Sequence, residues 1–142
     1  MANTGQDALP LLRGDFYGYE HLLSDEDRAL VRRVRDFAER EIAPVVEDHW
    51  ARGEFPHELI PKLAALDIVG LGYERPDRPA ASRLLSSFVS MELARVDASI
   101  ATFFGVHSGL AMGSIVQCGS DEQRARAGCR RCSAWRRSAR SR

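Results

Sequence analysis

The side chains able to do chemistry here are few, and the histidines and cysteines come first, since imidazole and thiolate serve as bases, nucleophiles and metal ligands. The chain holds His21, His49, His57 and His107, with Cys118, Cys129 and Cys132. Cys129-x-x-Cys132 has the spacing of half a zinc or redox site, yet no second Cys/His pair follows it, so no metal site is assigned. His21, His49 and His57 are scattered and read as surface residues. His107 has no acidic neighbour in an apolar stretch, the setting of a hydrogen-bonded core imidazole rather than a catalytic base.

Charge is unevenly placed. Residues 127–142 hold six of the 20 basic side chains and none of the 20 acidic ones, which leaves the preceding stretch 14 basic against 20 acidic, a net charge of −6. The body is acidic and the tail basic. Arginines among serines, with Trp135, could contact phosphates by charge and stack on a base, and the alternative reading is therefore a helical binding or scaffold module with a nucleic-acid-contacting tail. An odd cysteine count makes no disulfide framework, and the N-terminus lacks the basic-then-apolar run of a secretory signal, so a cytoplasmic location is expected.

At 142 residues, 44% hydrophobic and 28% charged, the chain is expected to be one soluble globular domain. Ser24-Asp25-Glu26-Asp27 places a cap hydroxyl and three carboxylates where a helix N-terminus favours them. Leu30, Val31, Val34, Phe37, Ala38, Ile42, Val45 and Val46 then recur at steps of three and four, predicting a long amphipathic helix to about Trp50, with Pro44 as a kink. A shorter helix follows Pro56 up to Gly70, then a loop through GLGYERPDRPAAS, then a third helix from about Ala80 to Val96. Strand signals are nearly absent, so the class is all-α, a bundle of four to five helices.

Between Asp97 and Asp121 no Asp, Glu, Lys or Arg occurs. A helix with no polar face must be surrounded, by protein or by lipid. Gly105, Gly109 and Gly113 form a G-x-x-x-G-x-x-x-G series, but Ser99, Thr102, His107, Ser108, Ser114 and Gln117 make a poor membrane span, so burial in protein is expected. The glycine stripe would let a backbone or a slender ligand approach closely.

Four segments in order, DFYGYEHLLSDEDRALVRRVRDFAEREIAP, FPHELIPKLAALDIVGL, SMELARVDASIATFFGVHSGLAMGSIV and CGSDEQ, resemble the N-terminal helical domain of the acyl-CoA dehydrogenases, closest to the glutaryl-CoA dehydrogenase and short-chain acyl-CoA oxidase branch. The resemblance covers about residues 15–126, with residues 1–14 as a flexible arm. It implies a homo-oligomeric enzyme that uses FAD for α,β-dehydrogenation of an acyl-CoA thioester. It also implies that other domains supply the flavin contacts and the catalytic base, so that no catalytic or cofactor-binding residue falls in this stretch and these residues alone are inactive. What the stretch supplies by resemblance is a wall of the acyl cavity: Ala101, Thr102, Phe103, Phe104, Val106 and His107. The glutaryl-CoA enzymes carry Arg-Ser in place of Ala101-Thr102, so a dicarboxylyl substrate is disfavoured. Neither a membrane nor a nucleic acid is expected as partner on this reading.

Ser120-Asp121-Glu122-Gln123 is a capping box that announces a fifth helix. Members of the family continue with Trp-Leu-Pro and a Gly-Ala-Phe segment, whereas this chain turns to Ala127-Gly128-Cys129-Arg130. Joining the third base of each codon to the first two of the next permits W-L-P-P-M-x-x-M-E-K-I-G-A-F. Residues 127–142 are accordingly expected to be an out-of-phase translation, to be checked by sequencing the DNA.

Overall fold

The computed structural model describes residues 14–74 and 78–128, with side chains described through Arg124. The arm before Gly14 and the tail from Cys129, including the Cys129/Cys132 pair and Trp135, lie outside the described residues. Within them the protein is a bundle of helices, as composition and periodicity predict.

Local chemistry sets most helix ends. Ser24 Oγ accepts from the Asp27 N–H at 3.1 Å, and three carboxylates fill the first turn of α1 (Asp25–Phe37). A π-helical turn, Ala38–Ile42, joins α1 to α2 (Ala43–Arg52) in one long helix. Pro44 sits in the first turn of α2, directly after the π turn, where a missing N–H costs little. The helix ends at Arg52, where the sequence places its end, around Trp50 and before Gly53: Gly53 at φ 65° takes the left-handed cap and lets Glu54 N–H reach the His49 carbonyl at 2.9 Å. Helix α3 (Leu59–Ala65) follows.

Helix α4 (Arg83–Val96) begins at Arg83 and not near Ala80, since Ser82 Oγ can accept from the Leu85 N–H, at 3.0 Å, and alanine offers no such acceptor. Asp97 alone separates it from the next helix: its backbone is extended and its Oδ1 accepts from the Ile100 N–H at 2.7 Å. Helix α5 (Ala98–Gly105), a second π turn (Val106–Ala111) and α6 (Met112–Cys118) then form one continuous rod. The capping box closes as written in the sequence, with Gln123 N–H donating to Ser120 Oγ at 3.2 Å and Ser120 N–H to Gln123 Oε1 at 2.8 Å, and α7 (Asp121–Gly128) starts there.

The core is one apolar cluster. Val31, Val34 and Ile42 of the first long helix meet Leu63 of α3, Val89 and Leu93 of α4, and Ile100 of α5, all essentially without exposure. Each such side chain contributes roughly 1.5–3 kcal/mol by leaving water. Among them lies one fully buried carboxylate. Glu92 accepts two hydrogen bonds from Arg35, Nε at 2.8 Å and Nη2 at 2.7 Å, and a third from Arg95 Nε at 3.3 Å, while Arg95 Nη2 donates to Glu39 at 2.7 Å. The hydrogen bond to Glu92 raises the Arg35 pKa above its usual value, and the forked pair locks α1 to α4.

Two surface carboxylates link stability to pH. Hydrogen bonding from Lys62 lowers the Glu41 pKa, and a backbone hydrogen bond, with His49 behind it, lowers that of Glu58. Folded values below the unfolded value of 4.5 mean that this stabilisation is complete above that pH and is lost as pH falls through the folded values. The urea midpoint should therefore drop from about pH 6 to about pH 3, and Lys62→Met should shrink the drop.

Candidate functional site

The rod Ala98–Cys118 is long and apolar enough to cross a membrane by length and composition. It is not surrounded by the described residues. Only Ile100, Phe104 and Gly113 on it are buried, while Leu110 is 68% exposed and Val106 41%. This corrects the expectation of a buried core helix: a one-sided contact with α4 and the segment before it covers one face and leaves the rest open.

The six candidate wall residues divide by that contact. Phe104 is 5% exposed and belongs to the core cluster. Ala101, Phe103 and His107 are half-buried. Phe103 is held in a chain of rings, 4.6 Å from Phe55 and 4.2 Å from His107 between centroids, and His107 Nδ1 lies 2.8 Å from the Phe103 carbonyl oxygen. Thr102 and Val106 are exposed, with the Thr102 hydroxyl donating back to the Ala98 carbonyl at 2.8 Å. The exposed strip continues to Leu110, then to Ile115 and Val116. Leu110 was legible from the spacing, because 102, 106 and 110 recur every fourth residue on one face.

The remaining histidines are spread over the surface, with one exception. His21 and His57 are exposed, but His49 is half-buried, its Nε2 lying 2.8 Å from Glu58 Oε1, and it joins the end of α2 to the turn before α3. Among the described residues no group of histidine, cysteine and carboxylate side chains could hold a metal ion.

The glycine series receives a loop. Tyr73 Oη donates to the Gly109 carbonyl at 3.1 Å, and a Cβ on Gly113 would sit 2.5 Å from that hydroxyl. Gly70, at φ 71°, lets the same loop pass Met112, whose Cε would lie 2.6 Å from a Cβ there. Tyr73 was missed in the sequence because nothing local distinguishes it from a loop tyrosine.

A dehydrogenating flavin needs a flat apolar wall and donors for its diphosphate. The exposed strip offers the wall through Thr102, Val106 and Leu110, but it carries no cation from Ala98 to Ser120. The described strip therefore fits an apolar chain or ring and does not by itself make a flavin site.

Residues 24–133 match the family model described as acyl-CoA dehydrogenase, N-terminal domain. The chain is 29% identical over 101 residues to an acyl-CoA dehydrogenase of Bacillus subtilis, covering 70% of this chain and 27% of that protein. It is 28% identical over 102 residues to the caffeyl-CoA reductase-Etf complex subunit CarC of Acetobacterium woodii, with the same coverage of 70% and 27%. To a short-chain specific acyl-CoA dehydrogenase of Clostridium acetobutylicum it is 25% identical over 103 residues, covering 72% of this chain and 27% of the other. The chain thus spans about a quarter of the length of these relatives.

Proposed function

Since this chain belongs to the acyl-CoA dehydrogenase family, matching its N-terminal domain over residues 24–133, we propose that it forms one wall of an acyl-CoA cavity in a flavin-dependent α,β-dehydrogenase. The observation that carries this reading is the exposed apolar strip Thr102, Val106 and Leu110 on a helix otherwise anchored in the core by Ile100 and Phe104. FAD, held by the family's other domains, would supply the hydride acceptor for α,β-dehydrogenation of the thioester. The work of this chain is to exclude water and to line the aliphatic tail. Charge on that wall is absent, which suits a monocarboxylic acyl group and sets it apart from the glutaryl-CoA enzymes within the branch that the sequence resembles. The Clostridium relative's name points to short chains as the first substrates to try.

The 142 residues alone are expected to bind no FAD and to form no enoyl-CoA, because neither a base nor a diphosphate site lies on this wall. Yellow protein, or turnover of butyryl-CoA with an artificial electron acceptor, would overturn that. The wall itself is tested by grafting the described domain onto the remainder of the Bacillus subtilis relative. Val106→Glu in the chimera should lower kcat/KM for an acyl-CoA by about 10-fold or more, as a charge placed against a buried chain costs over 1.4 kcal/mol. An unchanged kcat/KM would remove Val106 from the cavity.

A further inference from the structure

The turn before α1 presents apolar side chains to water. Phe16 is 94% exposed and Tyr17 80%, with Tyr19 and Leu22 exposed beside them. The backbone holds them in a fixed arrangement. Asp15 Oδ2 accepts from the Glu20 N–H at 2.7 Å, Gly18 takes the left-handed conformation at φ 67°, and the Tyr17 and Tyr19 rings stack with centroids 5.6 Å apart. Glu20 and Leu23, both buried, fasten the turn to the bundle, and the Glu20 carboxylate is among the charges that raise the Arg35 pKa. Clustered apolar side chains left in water mark a contact surface.

The rim of this surface is acidic. Asp25, Glu26 and Asp27 open α1 just after Leu23 and Ser24. Arg28 pairs with Asp25, whereas Glu26 is exposed and has no ion pair to any described residue. Rings beside carboxylates suit a guanidinium, which lies flat on an aromatic face while it donates to an acid. An apolar occupant would cover the rings only by drawing the carboxylates out of water. The chain carries a segment of the fitting kind: residues 129–142 hold six arginines, Trp135 and no acidic side chain.

That segment is also long enough. The turn lies toward the start of the rod, since Glu20 acts on Arg35 and Arg35 holds Glu92, shortly before Ala98. The rod of 21 residues is about 31 Å long, and residues 129–142 reach up to roughly 46–50 Å when extended, so the tail can return along the rod from its far end.

We propose that the arginine-rich tail, residues 129–142 of the same chain, folds back onto the Phe16–Leu22 turn, its guanidinium groups lying on the Tyr17 and Tyr19 rings and pairing with Glu26. Tethering gives the tail an effective concentration on the order of millimolar, so contacts that are weak one by one form together. The inference rests on the side chains of the tail, whatever codon phase produced them, and on neither a thioester nor a flavin.

A nitroxide on Cys132 of the ¹⁵N-labelled 142-residue chain, carrying Cys118→Ser and Cys129→Ser, is the test. At about 20 mM salt the amide signals of Phe16, Tyr17 and Tyr19 should lose about half of their intensity or more, and at about 500 mM salt they should recover most of it, because charges on an open surface are screened. Tyr17→Ser together with Tyr19→Ser, both at exposed positions, should restore the Phe16 signal at low salt. Replacing all six tail arginines with glutamine, with Trp135 kept, should do the same. Spin-labelled ¹⁴N chain mixed with label-free ¹⁵N chain should broaden nothing. Absence of broadening at the turn, broadening indifferent to salt, or broadening that survives loss of the arginines or of both tyrosines would overturn the proposal. Broadening in the mixed sample would assign the contact to a second copy and overturn it as well.

Discussion

Replacing Arg35 with methionine is expected to cost about 3–5 kcal/mol of folding stability, the range found when one partner of a buried ion pair is removed. Glu92, with 0% exposure, would retain only the longer contact to Arg95, at 3.3 Å. A domain of this size holds about 5–15 kcal/mol in total, so the variant should melt at a markedly lower temperature and urea concentration than the parent. Replacing both Arg35 and Glu92 with methionine should recover most of the loss, because the desolvation of Glu92 disappears together with its partner. Urea melts of the two variants and the parent decide the matter. A cost under about 1 kcal/mol for the single variant would mean that Glu92 is not isolated from water.

Phe104→Ala should be nearly as severe, at about 3–5 kcal/mol, whereas Val106→Ala, two residues along the same rod, should change stability by no more than about 0.5 kcal/mol. Phe104 is enclosed by the core cluster, and the truncation leaves a cavity that neighbouring helices close only in part. Val106 loses contacts on an open face. The contrast separates Phe104, which holds the helix in place, from Val106, which stands on its open face. Equal costs at the two positions would mean that the rod is packed on both sides.

Much of the fold could be read from the chain because the signals are local. Ser24 and Ser120 each reach a backbone N–H within three residues, so a helix start is announced by a few neighbours whatever the rest of the molecule does. Periodicity in α1 likewise identified Val31, Val34 and Phe37 as inward-facing. The reading failed where the deciding group is distant. Nothing around Arg35 in the chain signals a partner, yet it is paired across 57 residues with a glutamate that nothing in its own segment marks as buried. For the segment without charge, composition established a helix in need of cover, and the tertiary structure alone showed which face is covered and that Tyr73 occupies the glycine stripe. Helix identity, caps and family were thus determined by the sequence, because they rest on interactions spanning one or two turns or on a pattern of them. Burial, the Arg35–Glu92 lock and the open face of the rod were decided by tertiary structure, because exposure depends on which remote segments arrive and how much surface they cover.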